Sequence, residues 1–495
     1  MEHSAAFVLL LLTALSVTIN AIPTISAVGS KFFTSDGNQF FIKGKTRTSR
    51  RSERFANGLD YTGVAYQLIE DDPLVNATQC QLDATLMQQL GANAIRVYHV
   101  DPSADHQGCM NAFAAAGIYV FVDMDSFKTY IRFDTTASWT SNKSESYRAV
   151  LDNFQQYDNT AGMFVGNEVL NTLADADSAP YLLSAAVDLK TYRDARNYRK
   201  IPIGYSATDT AVLRPMLQDY LVCRPNVTER LDFYALNSYE WCGSTPTFQT
   251  SGYASLQADA QNYPVPIFFS EDGCNTVPPR TFNDQAAIFG PDMVNTWSGA
   301  MIYEWIQEMN QYGLVSYGPP AGADVNEGTS VIQGFTRQGT PTPVQPDFSN
   351  LSEQWKTLNP TGVKSADYVA SVTPTPPACP SSTAGGWTVD PSAPLPTMGA
   401  AGVSAGMPSG VPKGSITITT TSSTAQTSST YSSTVTSSAS SSGGSSSSTS
   451  GAASSATSQG AAGRMVAGPA FSNEAGVMGM VACLIAVGAG VMIWL

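Results

Sequence analysis

Ala94-Ile95-Arg96-Val97-Tyr98-His99-Val100, a polar stretch, then Tyr119-Val120-Phe121-Val122-Asp123-Met124 set the pattern that the rest of the chain repeats. Both short segments are rich in Val, Ile, Tyr and Phe, and the residues between them suit a helix. That is the pattern of parallel strands joined by a crossover helix. Met163–Val165, Ile201–Tyr205, Phe233–Ser238, Ile267–Ser270 and Ala300–Tyr303 continue it, and Phe40–Lys43 precedes it. Eight such units predict an α/β fold, a (β/α)8 barrel of the TIM type, over residues 22–380. The competing architecture is an open doubly wound sheet. It would carry a glycine-rich nucleotide loop after an early strand, and none is seen.

In a barrel, chemistry gathers where strands end and loops begin. At those ends stand Tyr98, Asp123 and Asp125, Asn167 and Glu168, Tyr239 and Glu240, Ser270 and Glu271, and Tyr303 and Glu304. Glu168 closes the fourth run and Glu271 the seventh. In an eight-stranded barrel these strands face each other across the mouth, so two carboxyls can flank one glycosidic bond. One protonates the leaving oxygen while the other attacks or stabilises the developing oxocarbenium ion. Asn167 suits a hydrogen bond to the sugar 2-hydroxyl. The alternative is two structural carboxylates, each paired with an arginine such as Arg96.

A net charge of −14 argues against nucleic acid or an anionic membrane surface as partner and suits a neutral polymer. With three histidines in the chain and no zinc-like Cys/His spacing, no metal and no cofactor is expected. Residues 1–21 read as a secretory signal, because the apolar run from Ala5 to Val17 is too short to span a bilayer. Residues 381–463 read as a disordered Pro/Ser/Thr-rich stalk, too poor in apolar surface to fold. Residues 464–495 read as a GPI-attachment propeptide, with small residues near Gly460, a spacer and an uncharged apolar tail from Gly476 to Leu495. The expected location is the outer face of the plasma membrane, or the wall, with membrane contact only through lipid. Removing Cys483 with the tail leaves six cysteines, Cys80, Cys109, Cys223, Cys242, Cys274 and Cys379, enough for three disulfides in an oxidising compartment. Asn76, Asn142, Asn226 and Asn350 open N-glycosylation sequons.

Several motifs together are specific. Phe41-Ile42-Lys43-Gly44, Asp101-Pro102, Gly166-Asn167-Glu168-Val169, Asn237-Ser238-Tyr239-Glu240-Trp241-Cys242-Gly243, Phe269-Ser270-Glu271-x-Gly273-Cys274-Asn275 and Tyr312-Gly313-Leu314-Val315 resemble the fungal β-1,3-glucanosyltransferases of glycoside hydrolase family 72. These are called Gas, Gel or Phr in different fungi. The resemblance runs from about Ile22 to Cys379. It implies a monomeric retaining transglycosylase acting on β-1,3-glucan donor and acceptor chains, with Glu168 as acid/base and Glu271 as nucleophile. It also implies Gln67, Tyr98, Asp123, Asn167, Tyr239 and Tyr303 around the sugar. The disulfides it implies are Cys80–Cys109, Cys223–Cys379 and Cys242–Cys274. Two departures stand out. Asp272 replaces an expected aromatic, and could raise the pKa of Glu271 or line a neighbouring subsite. The Cys-rich carbohydrate-binding module that many relatives carry is not expected, since only Cys379 is left for one.

The family motif would run Phe-Ile-Lys-Gly-Val-Ala-Tyr-Gln unbroken, whereas residues 45–62 separate Gly44 from Gly63. This insert holds five of the 26 basic residues and lacks apolar periodicity. Gly44-Lys45 can be encoded with a GTAAG splice donor, Ala56-Asn57 with a CTAAC branch sequence, and Thr62-Gly63 with an AG acceptor. The insert therefore reads as a translated intron that pushes Gln67 out of register with the site. The alternative is a surface loop of small closure cost.

Overall fold

The computed structural model describes residues 22–42, 62–66, 72–126, 129–131, 137–318, 331–371, 375–399, 484–486 and 491–493. The readings of a leader at 1–21, of Gln67, of a stalk beyond 399 and of a lipid site near Gly460 fall outside them, as do all but Thr62 of the insert. The chain divides into two units, Met1–Met407 with Ala482–Leu495, and Pro408–Val481. Every described residue belongs to the first.

Three antiparallel strands, β1 (Ile25–Val28), β2 (Lys31–Thr34) and β3 (Gln39–Phe40), form a small sheet at the start. Eight parallel strands then close a barrel: β4 (Thr62–Ala65), β5 (Ala92–Val97), β6 (Tyr119–Asp123), β7 (Thr160–Asn167), β8 (Ile203–Thr208), β9 (Phe233–Asn237), β10 (Ile267–Asp272) and β11 (Trp297–Ile302), with β11 returning to β4. Seven of these strands overlap the apolar runs. The first does not, because Phe40 belongs to the N-terminal sheet and the barrel opens with Thr62–Ala65.

Helices α1 (Ala77–Leu90), α2 (Gln107–Ala115), α3 (Ser141–Phe154), α4 (Ala179–Ala195), α5 (Arg214–Tyr220), α6 (Tyr253–Asp259) and α7 (Asp284–Ile288) alternate with the strands. Local chemistry sets their ends. Asn76 accepts from the N–H of Gln79 at the start of α1, and Gly91, at φ 106°, ends it in the left-handed conformation that glycine adopts without strain. A further helix, α8 (Asp347–Thr357), follows the barrel and buries Phe348, Leu351 and Trp355 at helical spacing.

The barrel interior is aromatic. Phe121, Phe164, Phe233 and Phe268 pack among themselves, and Phe32 of β2 joins from below with ring centroids 5.9–6.1 Å from three of them. The N-terminal sheet thus plugs one end, and the polar end is left to the loops. At the seam, a Cβ on Gly299 would sit 2.3 Å from the carbonyl oxygen of Ile42, so only glycine admits this close approach.

The structure joins Cys80 to Cys109, Cys223 to Cys379 and Cys242 to Cys274. Residues 381–399, read from composition as the start of a stalk, lie against the barrel. Trp387 is fully buried beside Tyr220, Arg224 donates to the carbonyls of Pro391 and Ala393, and the N–H of Gly399 donates to Trp139 O. One large aromatic ring supplies burial that the averaged composition hides. At the far end, Leu484–Ala486 and Val491–Ile493 pair antiparallel. No helix among the described residues is long and apolar enough to cross a membrane.

Candidate active site

The carboxyl of Glu271, at the end of β10, is 3% exposed and held by two phenols. Tyr98 O–H donates to its Oε1 at 2.8 Å, and Tyr239 O–H to its Oε2 at 2.7 Å. The Arg96 guanidinium lies 3.7 Å from Oε1. Burial pushes the Glu271 pKa above the ordinary carboxylate value, while Arg96, Tyr239 and Tyr98 pull it back and Asp123 adds to the rise. Such a carboxylate is desolvated yet oriented, as a nucleophile must be.

Glu168 follows β7 with φ of +46°, a left-handed conformation that costs a non-glycine residue roughly 1–3 kcal/mol and recurs at functional sites. Its N–H donates to Ser206 O on the neighbouring strand, which fixes the turn. Asn237 Nδ2 donates to Glu168 Oε1 at 2.9 Å and to Asn167 Oδ1 at 3.0 Å. Arg96 Nη2 also donates to Asn167 Oδ1 at 3.0 Å. With that oxygen occupied, the amide's other polar group is the Nδ2 donor, the role a sugar hydroxyl requires.

Beneath the carboxyls runs a polar layer built from alternate strand positions. Arg96, fully buried, pairs bidentately with Asp123 through Nε–Oδ1 at 3.0 Å and Nη2–Oδ2 at 2.7 Å, and donates through Nη1 to Ser206 Oγ at 3.1 Å. Ser206 and Ser270 both donate to Asn237 Oδ1, at 2.9 and 2.8 Å. Each polar group is thus spoken for, as burial demands. Asp123, 1% exposed, belongs to this layer and acts on the cleft through Arg96.

Tyr303, after β11, packs with Tyr239 and Tyr312, whose ring centroids lie 5.3–6.4 Å apart. The Cys242–Cys274 disulfide ties the loop that follows Tyr239 to the loop that follows Glu271. Of the six residues expected around the sugar, Tyr98, Asn167, Tyr239 and Tyr303 gather with Glu168 and Glu271 at the C-terminal mouth and Asp123 lies in the layer beneath, while Gln67 lies outside the described residues. Among the described residues no group of His, Cys, Asp and Glu is placed to hold a metal ion.

The Asp272 expectation is corrected. Its side chain leaves the opposite face of β10, where Tyr253 O–H and the Gly273 N–H donate to Oδ1 at 3.2 and 2.7 Å and Gln285 Nε2 donates to Oδ2 at 2.8 Å. The carboxylate that raises Glu271 is Asp123. Sequence reasoning also missed Asn237, Ser206, Tyr312 and Arg280 as parts of the site. Asn237 and Tyr312 stood in the family motifs with no role assigned, and Arg96 carried a signal as a charge inside an apolar strand.

A closed (β/α)8 barrel whose facing fourth and seventh strands each end in a buried, hydrogen-bonded glutamate, ringed by tyrosines, defines a glycoside-bond-processing enzyme. The chain belongs to the glucanosyltransferase family of glycoside hydrolases, whose model matches residues 14–328. It is 37% identical over 404 residues to the 1,3-beta-glucanosyltransferase gas2 of Schizosaccharomyces pombe, covering 78% of each chain. It is 36% identical to the 1,3-beta-glucanosyltransferase GAS2 of Saccharomyces cerevisiae, covering 72% of this chain and 60% of that one. A solved structure of Saccharomyces cerevisiae Gas2p, a mutant in complex with laminaritetraose and laminaripentaose, matches with a TM-score of 0.63 and 34% identity over 75% of this chain and 74% of that one.

Proposed function

We propose that this protein is a retaining β-1,3-glucanosyltransferase that cuts internal β-1,3-glucan bonds and passes the new reducing end to another glucan chain in wall assembly. The observation that carries the reading is Glu271, buried and gripped by Tyr98 and Tyr239, on the strand facing the one that ends in Glu168. A Glu271 oxygen attacks the anomeric carbon of the donor. The glycosidic C–O bond breaks, and the departing oxygen takes the proton of Glu168. The glycosyl ester left on Glu271 is then attacked by a hydroxyl of a second glucan chain. Glu168 accepts that hydroxyl's proton, and the ester C–O bond breaks to restore the Glu271 carboxylate. Tyr98, Tyr239 and Tyr303 line the sugar, the first two with their hydroxyls given to Glu271, and Asn167 offers its amide to the 2-hydroxyl. The same site with water as acceptor is a hydrolase.

Secretion with a lipid anchor near Gly460 is part of this reading. It rests on the leader, the stalk composition and the apolar tail in the sequence. The deciding experiment is incubation of the protein with a laminarin oligosaccharide of one length and a reduced acceptor. Products longer than the donor establish transfer. Shorter products alone make the protein a hydrolase.

A further inference from the structure

Arg280 lies in the loop after β10 and is 2% exposed, but touches neither glutamate among the contacts described above. Its guanidinium instead fastens the neighbouring tyrosine loop. Nη1 donates to the carbonyl of Tyr303 at 2.9 Å and Nη2 to that of Tyr312 at 2.7 Å. Nε donates to Asp347 Oδ2 at 2.7 Å, and the backbone N–H of Arg280 to Asp347 Oδ1 at 3.2 Å. The rest of the grip comes from the same helix. Asn350 Nδ2 donates to Arg280 O at 2.7 Å, and Gln354 Nε2 to Thr281 O at 3.3 Å. Asp347, Asn350 and Gln354 fall at i, i+3 and i+7, so one face of α8 presents all three while its other face packs the core.

We infer that Arg280 and Asp347 are positioning residues for the reaction: α8, through Arg280, holds Tyr303 and Tyr312 so that Tyr239 stays aimed at Glu271. The planar guanidinium suits this task, because it spreads donors over two carbonyls and a carboxylate at fixed angles, which an ammonium cannot do. Tyr303 and Tyr312 pack against the ring of Tyr239, whose hydroxyl is one of the two donors on Glu271. Asp347 lies beyond the family-matched residues 14–328, so the segment after the barrel belongs to the catalytic unit in this chain. The inference rests on Glu271 being the nucleophile.

The test is a set of full-length variants, Arg280→Lys, Asp347→Asn, Tyr239→Phe, Arg280→Lys with Tyr239→Phe, and Glu271→Gln, assayed on one laminarin oligosaccharide across pH with thermal melts recorded in parallel. Arg280→Lys is expected to lower kcat by about ten- to a hundredfold, the cost of a slightly misplaced site. It should also move the acid limb of kcat/KM toward higher pH, as Tyr239→Phe does. The double variant should lose little beyond the worse single one, since both act through one hydroxyl. Wild-type kinetics and an unmoved limb in Arg280→Lys, whatever its melting point, overturn the inference, as do losses that multiply in the double variant. Should Arg280→Lys fail to fold, Asp347→Asn carries the same comparison. Activity retained by Glu271→Gln would instead overturn the nucleophile assignment itself.

Discussion

Changing Tyr239 to phenylalanine removes one oxygen and keeps the ring that Tyr303 and Tyr312 pack against. What is lost is a 2.7 Å hydrogen bond to Glu271 Oε2, one of two phenolic donors on that carboxyl. A hydrogen bond to a charged group contributes about 1.5–3 kcal/mol, so the ionised form of Glu271 loses roughly ten- to a hundredfold against the protonated form. Because this donor lowers the Glu271 pKa, its removal raises it further. The nucleophile must be ionised. Activity of Tyr239→Phe should therefore fall by about that factor on the acid limb and much less on the plateau above it, where the carboxyl is ionised in both proteins. The measurement is kcat/KM for a laminarin oligosaccharide from acid to neutral pH. An equal loss at every pH, or an acid limb that stays in place, refutes the claim that Tyr239 sets the ionisation of Glu271.

Glu168→Gln should retain the fold, with an unchanged circular dichroism spectrum and turnover down by about a thousandfold or more, because the leaving chain loses its proton donor. Glycopeptide mapping should find sugar at the exposed Asn76, Asn142 and Asn226 but not at Asn350, whose Nδ2 is half-buried and bound to Arg280 O. Asp272→Asn should melt higher than the parent at neutral pH, by about 2–4 °C for each kcal/mol recovered, and gain little in acid. Burial raises the pKa of Asp272 and Asp284 in the folded state, so their contribution is full below the ordinary carboxylate range and lost as pH rises toward those raised values.

The two glutamates were legible because a strand end is a local feature: an apolar run stops and a carboxylate follows. The layer that holds them was not, because Arg96, Ser206, Asn237 and Ser270 come from four strands and meet only once the barrel closes. Asn237 reads in sequence as the end of an apolar run, and nothing local says that its amide bridges Asn167 and Glu168. Asp272 was misjudged because adjacency along a strand means opposite faces, which sends neighbouring side chains to different environments. Trp387 shows the converse error, in which composition averaged over many residues concealed one ring able to anchor its segment.

The first barrel strand bears directly on residues 45–62. Ile42 bridges Gly299 in parallel, with its N–H donating to Ser298 O and its carbonyl accepting from the Ala300 N–H. Farther along the same neighbour, Gly63 pairs with Met301 and Val64 with Ile302. From Gly299 to Met301 is two residues, and two residues after Ile42 comes Gly44. In a chain with the two glycines fused into one, the spacing from Ile42 to that glycine equals the spacing from Gly299 to Met301, so such a chain has the length for a single unbroken strand along β11. The downstream half also keeps its place, since the Tyr66 N–H donates to Arg96 O and its hydroxyl to Asp83. We propose that the working protein lacks 45–62, with Gly44 and Gly63 fused into one glycine. Deleting those residues is expected to raise the melting temperature and to preserve or increase transfer, because an interrupted seam strand gains continuous pairing while each half stays where it is. Reverse-transcribed messenger RNA should show the shorter junction. Transcripts that nearly all keep the segment, together with peptides such as Phe55–Tyr61 from the purified protein or a deletion variant that fails to fold, would show that 45–62 is a loop the barrel carries.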